Sequence, residues 1–294
     1  MNRNLKCAVA LGLFDGLHLG HAEVLKSALN SGARRRVVFT FGETTPLPKF
    51  YGFARDSILP EKQKIDLLYD MGFDEVVSVD FAEIAGFTGE EFVRRVILRQ
   101  LSADFLAVGY NFRFGSDGRT AAYLKQLGGK SDLFVRIVPA VTALGHPISS
   151  TAIRSCIKKG DIERVNKMLG FELFYVLPVT EGLKLARTMG VPTINQHLPL
   201  GIAVPRYGVY GGFTEIHGRV YRSVTNIGIK PTVERADRDV LIETHVLGFD
   251  GDIYGESVKV ALSAFMRPEE KFASLAQLKA RIHADVKMWA AGEV

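Results

Sequence analysis

Along the first half of the chain, short apolar runs rich in β-branched and aromatic residues alternate with segments of helical periodicity. The runs at residues 7–14, 37–41, 75–81, 104–110 and 133–140 predict strands. Segments 21–29, 61–71, 89–101 and 120–127 lie between them and predict helices. Such alternation predicts a parallel sheet covered by helices on both faces. Two further helices are expected at 151–159 and 162–169, with Gly170 suited to a C-terminal cap.

From Phe171 the pattern changes. Helical periodicity gives way to strand-like runs at 173–180, 206–213, 215–229, 240–249 and 257–262. Pro192, Pro199, Gly211-Gly212, Pro231 and Asp250-Gly251 punctuate them, which predicts an antiparallel β-barrel. A last amphipathic helix, 274–289, has Leu275, Leu278, Ile282 and Val286 on one face. The expected organisation is an α/β domain over 1–170 and a β-barrel domain with a terminal helix over 171–294.

Composition narrows the function classes. A chain of 294 residues suits two domains at roughly 150 residues each. With 47% hydrophobic and 23% charged residues it falls among globular proteins, not disordered ones. Cys7 and Cys156 match no metal or redox spacing and read as reduced structural thiols. Arg3 and Lys6 precede an apolar run, as in a signal peptide. Gly12 interrupts that run, Asp15 stops it and no cleavage site follows, so a buried strand is expected. No run approaches the roughly 20 apolar residues of a membrane helix, so a cytoplasmic protein without a membrane partner is expected. The net charge of +5 suits an anionic small molecule as well as a nucleic acid. Arg34-Arg35-Arg36 reads as a solvated loop, and no aromatic-interleaved basic stretch accompanies it, which argues against nucleic acid.

Two segments concentrate chemistry. Gly12-Leu13-Phe14-Asp15-Gly16-Leu17-His18-Leu19-Gly20-His21 falls between the first strand and the first helix, where open α/β sheets bind ligands. Gly16 and Gly20 admit phosphates to the backbone, the helix N-terminus offers N–H donors, and two imidazoles reach phosphate oxygens. Ser149-Ser150-Thr151 opens a later helix with Arg154 one turn in, a set of hydroxyl, N–H and guanidinium donors for an anion.

Together with Val108-Gly109-Tyr110-Asn111-Phe112-Arg113-Phe114-Gly115, these segments resemble the prokaryotic bifunctional riboflavin kinase/FAD synthetase family, whose first half is a Rossmann-like nucleotidyltransferase domain. The resemblance implies that His18 and His21 contact ATP phosphates, and that Ser150, Thr151 and Arg154 hold the triphosphate. It places Gly12, Phe14, Asp15, Gly16 and Gly20 around the nucleotide, Asn111 near the reacting phosphates, and Phe112, Arg113 and Phe114 at the flavin. The second half resembles the flavin kinase barrel of the same family. Gly190-Val191-Pro192-Thr193-Ile194-Asn195 is similar to its metal-ligating element, which implies Thr193 and Asn195 as ligands of Mg²⁺ carried with ATP. The runs 226–232 and 242–255 resemble its further strands, with Glu243 as catalytic base, and 266–272 resembles its flavin-side loop, with Arg267. Gly182 and Arg187 are implied at the nucleotide.

A lone carboxylate that removes the proton of a ribityl hydroxyl agrees with this reading; such a step contributes about 10²–10⁴-fold. The expected partners are ATP, riboflavin, FMN, FAD and pyrophosphate, with flavins as substrates and products, not prosthetic groups, and room is left for a weak homo-oligomer. The chain departs from the family at Leu177 and Ala186, where glycines usually flank the nucleotide. It also departs at Lys230 for Arg, at Asn111 for Asp, and at 41–46, where a His-Pro is common. Two alternatives stand beside this reading: a monofunctional FAD synthetase with an inactive flavin-binding barrel, and a flavin-sensing or RNA-binding regulator on the same fold.

Overall fold

The computed structural model describes residues 5–42, 56–143, 145–181, 191–229 and 239–293. The chain divides into two compact units, Met1–Ser150 and Thr151–Val294.

The first unit opens with β1 (Cys7–Leu11), whose five residues are all buried, followed by α1 (Leu19–Leu29) and β2 (Arg35–Phe41). Then come α2 (Glu61–Asp70), β3 (Glu75–Val79) and the short helices α3 (Phe81–Ile84) and α4 (Gly89–Phe92). A π-helix, Val93–Gln100, leads to β4 (Phe105–Gly109). A small hairpin of β5 (Arg113–Phe114) and β6 (Arg119–Thr120) precedes α5 (Ala121–Gly128) and β7 (Phe134–Val138). A second pair, β8 (Thr142–Ala143) and β9 (His146–Pro147), ends the unit. The sheet order is β3-β2-β1-β4-β7, parallel throughout. Its core joins Val9, Leu11, Val37, Phe39, Leu106 and Val108 to Phe92, Val96 and Ile97.

The helix expected at 89–101 starts with a capping box between Thr88 and Glu91, then changes winding. Leu101 N–H donates to the Val96 carbonyl five residues back, the spacing of a π-helix. The basic run is also different from expectation. Arg35 and Arg36 begin β2, and they pair with Glu75 at 2.6 Å and with Asp74 at 2.8 Å. They are the paired end of a strand and not a solvated loop. Cys7 and Cys156 are free and buried, and burial raises both thiol pKa values.

In the second unit, α6 (Ser150–Lys159, its first residue closing the preceding unit) and α7 (Ile162–Leu169) lead to β10 (Leu173–Pro178) and β11 (Thr193–His197). Gly170 takes the left-handed cap at φ 83°. The strands β12 (Gly208–Ile216), β13 (Arg219–Ile229), β14 (Val240–Val246) and β15 (Ser257–Pro268) precede α8 (Leu275–Ala291). These six strands pair antiparallel in the order β10-β15-β12-β13-β14-β11. A bridge between Thr180 and Asn195 brings the two ends of the sheet together, so it curls into a barrel. Asn166 of α7 ties that helix to the barrel: its amide donates to the Leu262 carbonyl at 2.9 Å and accepts from Leu173 N–H at 2.8 Å.

Barrel residues also correct the pattern reading. The run 215–229 is not one strand. His217 and Gly218, both at positive φ, make a two-residue turn that splits it into β12 and β13, as right-twisted hairpins require. The terminal helix buries Trp289 and Asp285, whereas Leu275 of the expected apolar face is exposed. The indole lies over Gly211, where a Cβ would collide with the ring, and its Nε1 donates to the Gly212 carbonyl at 3.0 Å. Close approach of α8 therefore depends on the missing side chain.

Candidate functional site

The strand order of the first unit reverses between β1 and β4, and the carboxyl ends of those strands are where open sheets hold ligands. The glycine-histidine turn leaves β1 there, and Tyr110-Asn111 leaves β4. The turn is tight and strained. Phe14 (φ 51°), Gly16 (φ 81°) and Leu17 (φ 48°) all sit in the left-handed region, although Phe14 and Leu17 are bulky and buried. Gly16 is required twice, by its φ and because a Cβ would stand 2.7 Å from Ile58 Cδ1. Asp15 fixes the opposite wall by accepting from Ile58 N–H at 2.7 Å.

His18 is the N-cap of α1. Its Nδ1 accepts from His21 N–H at 3.2 Å, so in the capped state the ring proton is on Nε2. Burial pushes its pKa down to about 4, and the ring is neutral at physiological pH. His21 stacks on it with centroids 3.6 Å apart and an angle of 16°, and meets Phe14 edge-on. Burial, then His18 and Lys64 nearby, hold His21 well below the ordinary imidazole range. His21 Nδ1 is buried with no hydrogen-bond partner. The site therefore offers two neutral, stacked imidazoles, suited to donating hydrogen bonds to an anion.

Ser150 joins this turn, since its hydroxyl donates to the Asp15 carbonyl at 2.9 Å. Thr151 and Arg154 follow on the helix that Ser150 opens, with Arg154 Nη2 3.4 Å from Thr151 Oγ1. After β4, Asn111 and Arg113 are exposed. Phe112 stacks on Phe114 at 5.9 Å, and Phe114 is buried beside Phe92 in the core. Phe114 is thus part of the core framework.

The candidate residues of the barrel come together by register. Asn195 on β11 and Asn226 on β13 flank Glu243 on β14 as direct cross-strand partners. Directly opposed residues share a face, and so does Thr193 two positions before Asn195. Three strands thus present a hydroxyl, two amides and a carboxylate in one patch. These are hard oxygen donors of the kind that a Mg²⁺–nucleotide complex takes from protein. Among the described residues there is no group of three or more His, Cys, Asp and Glu that could hold a metal ion.

Asn226 had no individual role in the sequence reading, and neither did Glu269. A Cβ on Gly228 would collide with the Glu269 carboxylate, and burial followed by the charge of Glu243 raises the Glu269 pKa. Two carboxylates therefore face the same patch. The spacing of Asn226 and Gly228, alternate residues of one strand, was the signal available for both.

Arg267, expected at the flavin, is buried and committed elsewhere. Its Nε and Nη2 donate to Asp285 at 3.0 and 2.7 Å, and Nη1 donates to the Pro268 carbonyl at 3.1 Å. Leu177 is a buried residue of β10 whose carbonyl accepts from Gln196 Nε2 at 2.6 Å. It fills the barrel wall. Gly182, Arg187, Ala186 and Lys230 lie outside the described residues.

Comparison with known proteins matches both halves of the chain. A family model described as FAD synthetase matches residues 1–152, and one described as riboflavin kinase matches 169–291. The bifunctional riboflavin kinase/FMN adenylyltransferase of Bacillus subtilis (strain 168) is 31% identical over 288 residues, covering 95% of this chain and 90% of that protein. The protein of that name from Escherichia coli (strain K12) is 32% identical over 288 residues, with coverage of 95% and 90%. A crystal structure named as a macrolide-efflux protein from Streptococcus pneumoniae superposes with a TM-score of 0.83 at 31% identity, covering 99% of this chain and 95% of that one. Among the described residues no helix is long and apolar enough to cross a membrane.

Proposed function

The chain belongs to the bifunctional riboflavin kinase/FMN adenylyltransferase family, and from that premise we propose which residues carry its two reactions. It phosphorylates riboflavin to FMN with ATP, and it joins FMN to the adenylyl group of a second ATP to give FAD. The observation that carries this reading is the match of two enzyme families to consecutive stretches of one chain.

In the kinase reaction Glu243 takes the proton of the riboflavin 5′-hydroxyl as its oxygen attacks the γ-phosphorus of ATP. The O–H bond breaks, an O–P bond forms, and ADP leaves. Asn195 and Asn226 are the cross-strand partners of Glu243 and stand on either side of it. Thr193 and Asn195 would hold Mg²⁺ through hydroxyl and amide oxygens, and the chemistry supplied there would be neutralisation of charge on the ATP phosphates. Phosphoryl transfer otherwise needs positioning, which a three-strand platform supplies.

In the adenylyl transfer the FMN phosphate attacks the α-phosphorus of ATP and pyrophosphate leaves. His18 Nε2–H and His21 donate to the phosphate oxygens as their charge shifts, with no proton lost from either ring. Their rings stack 3.6 Å apart, so each holds the other in place as the charge shifts. Gly12, Phe14, Asp15, Gly16 and Gly20 shape the nucleotide side, Ser150, Thr151 and Arg154 hold the triphosphate, and Asn111 lies by the reacting phosphates. Phe112 and Arg113 take the flavin, with Phe114 and Arg267 as the buried anchors of the two flavin-side segments. Gly182 and Arg187 keep the nucleotide roles that the resemblance implies.

The test is incubation of purified protein with riboflavin, ATP and Mg²⁺, with flavins separated over time. FMN should appear first and FAD after it. Conversion of FMN to FAD without any phosphorylation of riboflavin, at every ATP concentration tried, overturns the kinase half.

A further inference from the structure

We propose that His245 is a positioning residue of the kinase centre, clamping the chain just ahead of Thr193; the proposal rests on the assignment of Thr193 and Asn195 given above. His245 lies two residues beyond Glu243 on β14 and is the cross-strand partner of Thr193. By the alternation of a strand it shares the face of Glu243, Asn195 and Asn226. Its Nδ1 is 2.8 Å from the Pro192 carbonyl oxygen. A carbonyl only accepts, so Nδ1 carries the hydrogen and donates it.

The position of that bond gives it its role. The pairing of β11 with β14 ends at Thr193, and Pro192 next to it has no N–H with which to extend the ladder. Thr193 is thus the terminal rung, where strands fray most readily. The imidazole supplies one more bond beyond that rung, from the neighbouring strand to the residue before the metal ligand. It holds the Thr193 hydroxyl at a fixed distance from Asn195 and Glu243. Nδ1 donates in both the neutral and the protonated ring, so the clamp does not depend on the charge of His245. A bond of this kind acts on the metal through its ligand, and removing such support typically costs about 10–100-fold in metal affinity or activity.

The experiment compares H245A, H245N and H245Q in the full chain. An asparagine amide nitrogen stands near the place of Nδ1, whereas glutamine carries its amide one carbon further out. In H245A riboflavin phosphorylation should fall about 10–100-fold, mainly as a raised KM for MgATP. H245N should restore most of it, H245Q should not, and adenylylation of supplied FMN should be unchanged in all three. Equal impairment of H245A and H245N with both folded by circular dichroism overturns the proposal, as does unaltered MgATP dependence in H245A. Ring ¹⁵N NMR of the unmutated protein tests it independently of any variant: His245 should carry its hydrogen on Nδ1, and a proton found only on Nε2 overturns the clamp. If the unmutated protein phosphorylates no riboflavin, the assignment of the kinase centre fails instead, a result distinct from all of these.

Discussion

The two candidate centres are built by opposite means. The adenylyl centre is contiguous in sequence: ten residues from Gly12 to His21 supply a strained turn, a helix cap and two stacked imidazoles. The kinase centre is assembled from β11, β13 and β14, with members at 193–195, 226 and 243 that meet only when the strands pair in one register. Strain and desolvation define the first, and alignment defines the second. A one-residue slip of β14 would turn Glu243 to the other face of the sheet. No comparable slip threatens His18, because the bond that caps α1 also sets its tautomer.

The sharpest way to break the comparison is to silence one centre and read the other. E243Q removes the proposed base but keeps the size of the side chain, so riboflavin consumption should fall by about 10²–10⁴-fold. FAD formation from supplied FMN should continue unchanged. Loss of both activities would mean that the centres are not separable. H21A is the converse: FAD formation should drop by about 10²–10³-fold while FMN accumulates from riboflavin. Normal adenylylation in that variant would remove the imidazole stack from the mechanism.

A third test exploits the difference in electrostatics. His18 has a folded pKa of about 4 against an ordinary value of 6.5, so the unfolded chain binds its proton first as pH falls. Stability from this group is whole above pH 6.5 and is lost between pH 6.5 and 4, by about 3 kcal/mol in all. Urea denaturation at pH 7 and pH 5, followed by a probe of the first unit, should show the loss, and H18N should reduce it, the remainder coming from His21, whose pKa burial also lowers. An equal loss in H18N would assign the pH dependence to other groups.

The smallest effect concerns the boundary. A fragment from Phe171 lacks α7, whose Asn166 makes two hydrogen bonds to the barrel. We expect both a fragment from Thr151 and one from Phe171 to fold, the shorter being less stable by about 1–3 kcal/mol. Equal midpoints in urea would make α7 a linker. An unfolded shorter fragment would move the start of the barrel domain upstream.

The same contrast explains what the sequence revealed. Sheet, helices and the adenylyl turn were legible because their signals are local: apolar runs, a periodicity, and a glycine-histidine string. The strand β11 carried no such signal. Asn195 and Gln196 are adjacent, polar and both buried, so no alternation of apolar and polar residues marks Thr193–His197. The turn at His217 was hidden because its first residue is not glycine, asparagine or aspartate. The pairing of Arg267 with Asp285 was hidden for a related reason. A guanidinium in a loop-like motif reads as a ligand contact, and its partner Asp285 lies on a helix chosen for its apolar stripe. The change to π winding after Val93 had no sequence mark at all.

The Arg267–Asp285 pair also bears on how this chain can change over generations. Both side chains are buried, with 8% and 2% exposure, and each is the other's shortest charged contact, at 2.7 Å. Loss of either alone leaves the other buried with only a longer contact, Arg267 to Glu270 at 3.8 Å or Asp285 to Arg281 at 3.4 Å. Breaking a buried pair costs up to about 3–5 kcal/mol, against a typical total stability of about 5–15 kcal/mol. Replacing both with apolar residues of similar volume is often neutral. The two positions are therefore joined by a valley that single substitutions cross poorly. Lineages descended from this sequence should keep the pair intact or exchange it whole, and the strand that leads to Pro268 and the terminal helix are bound to one shared history.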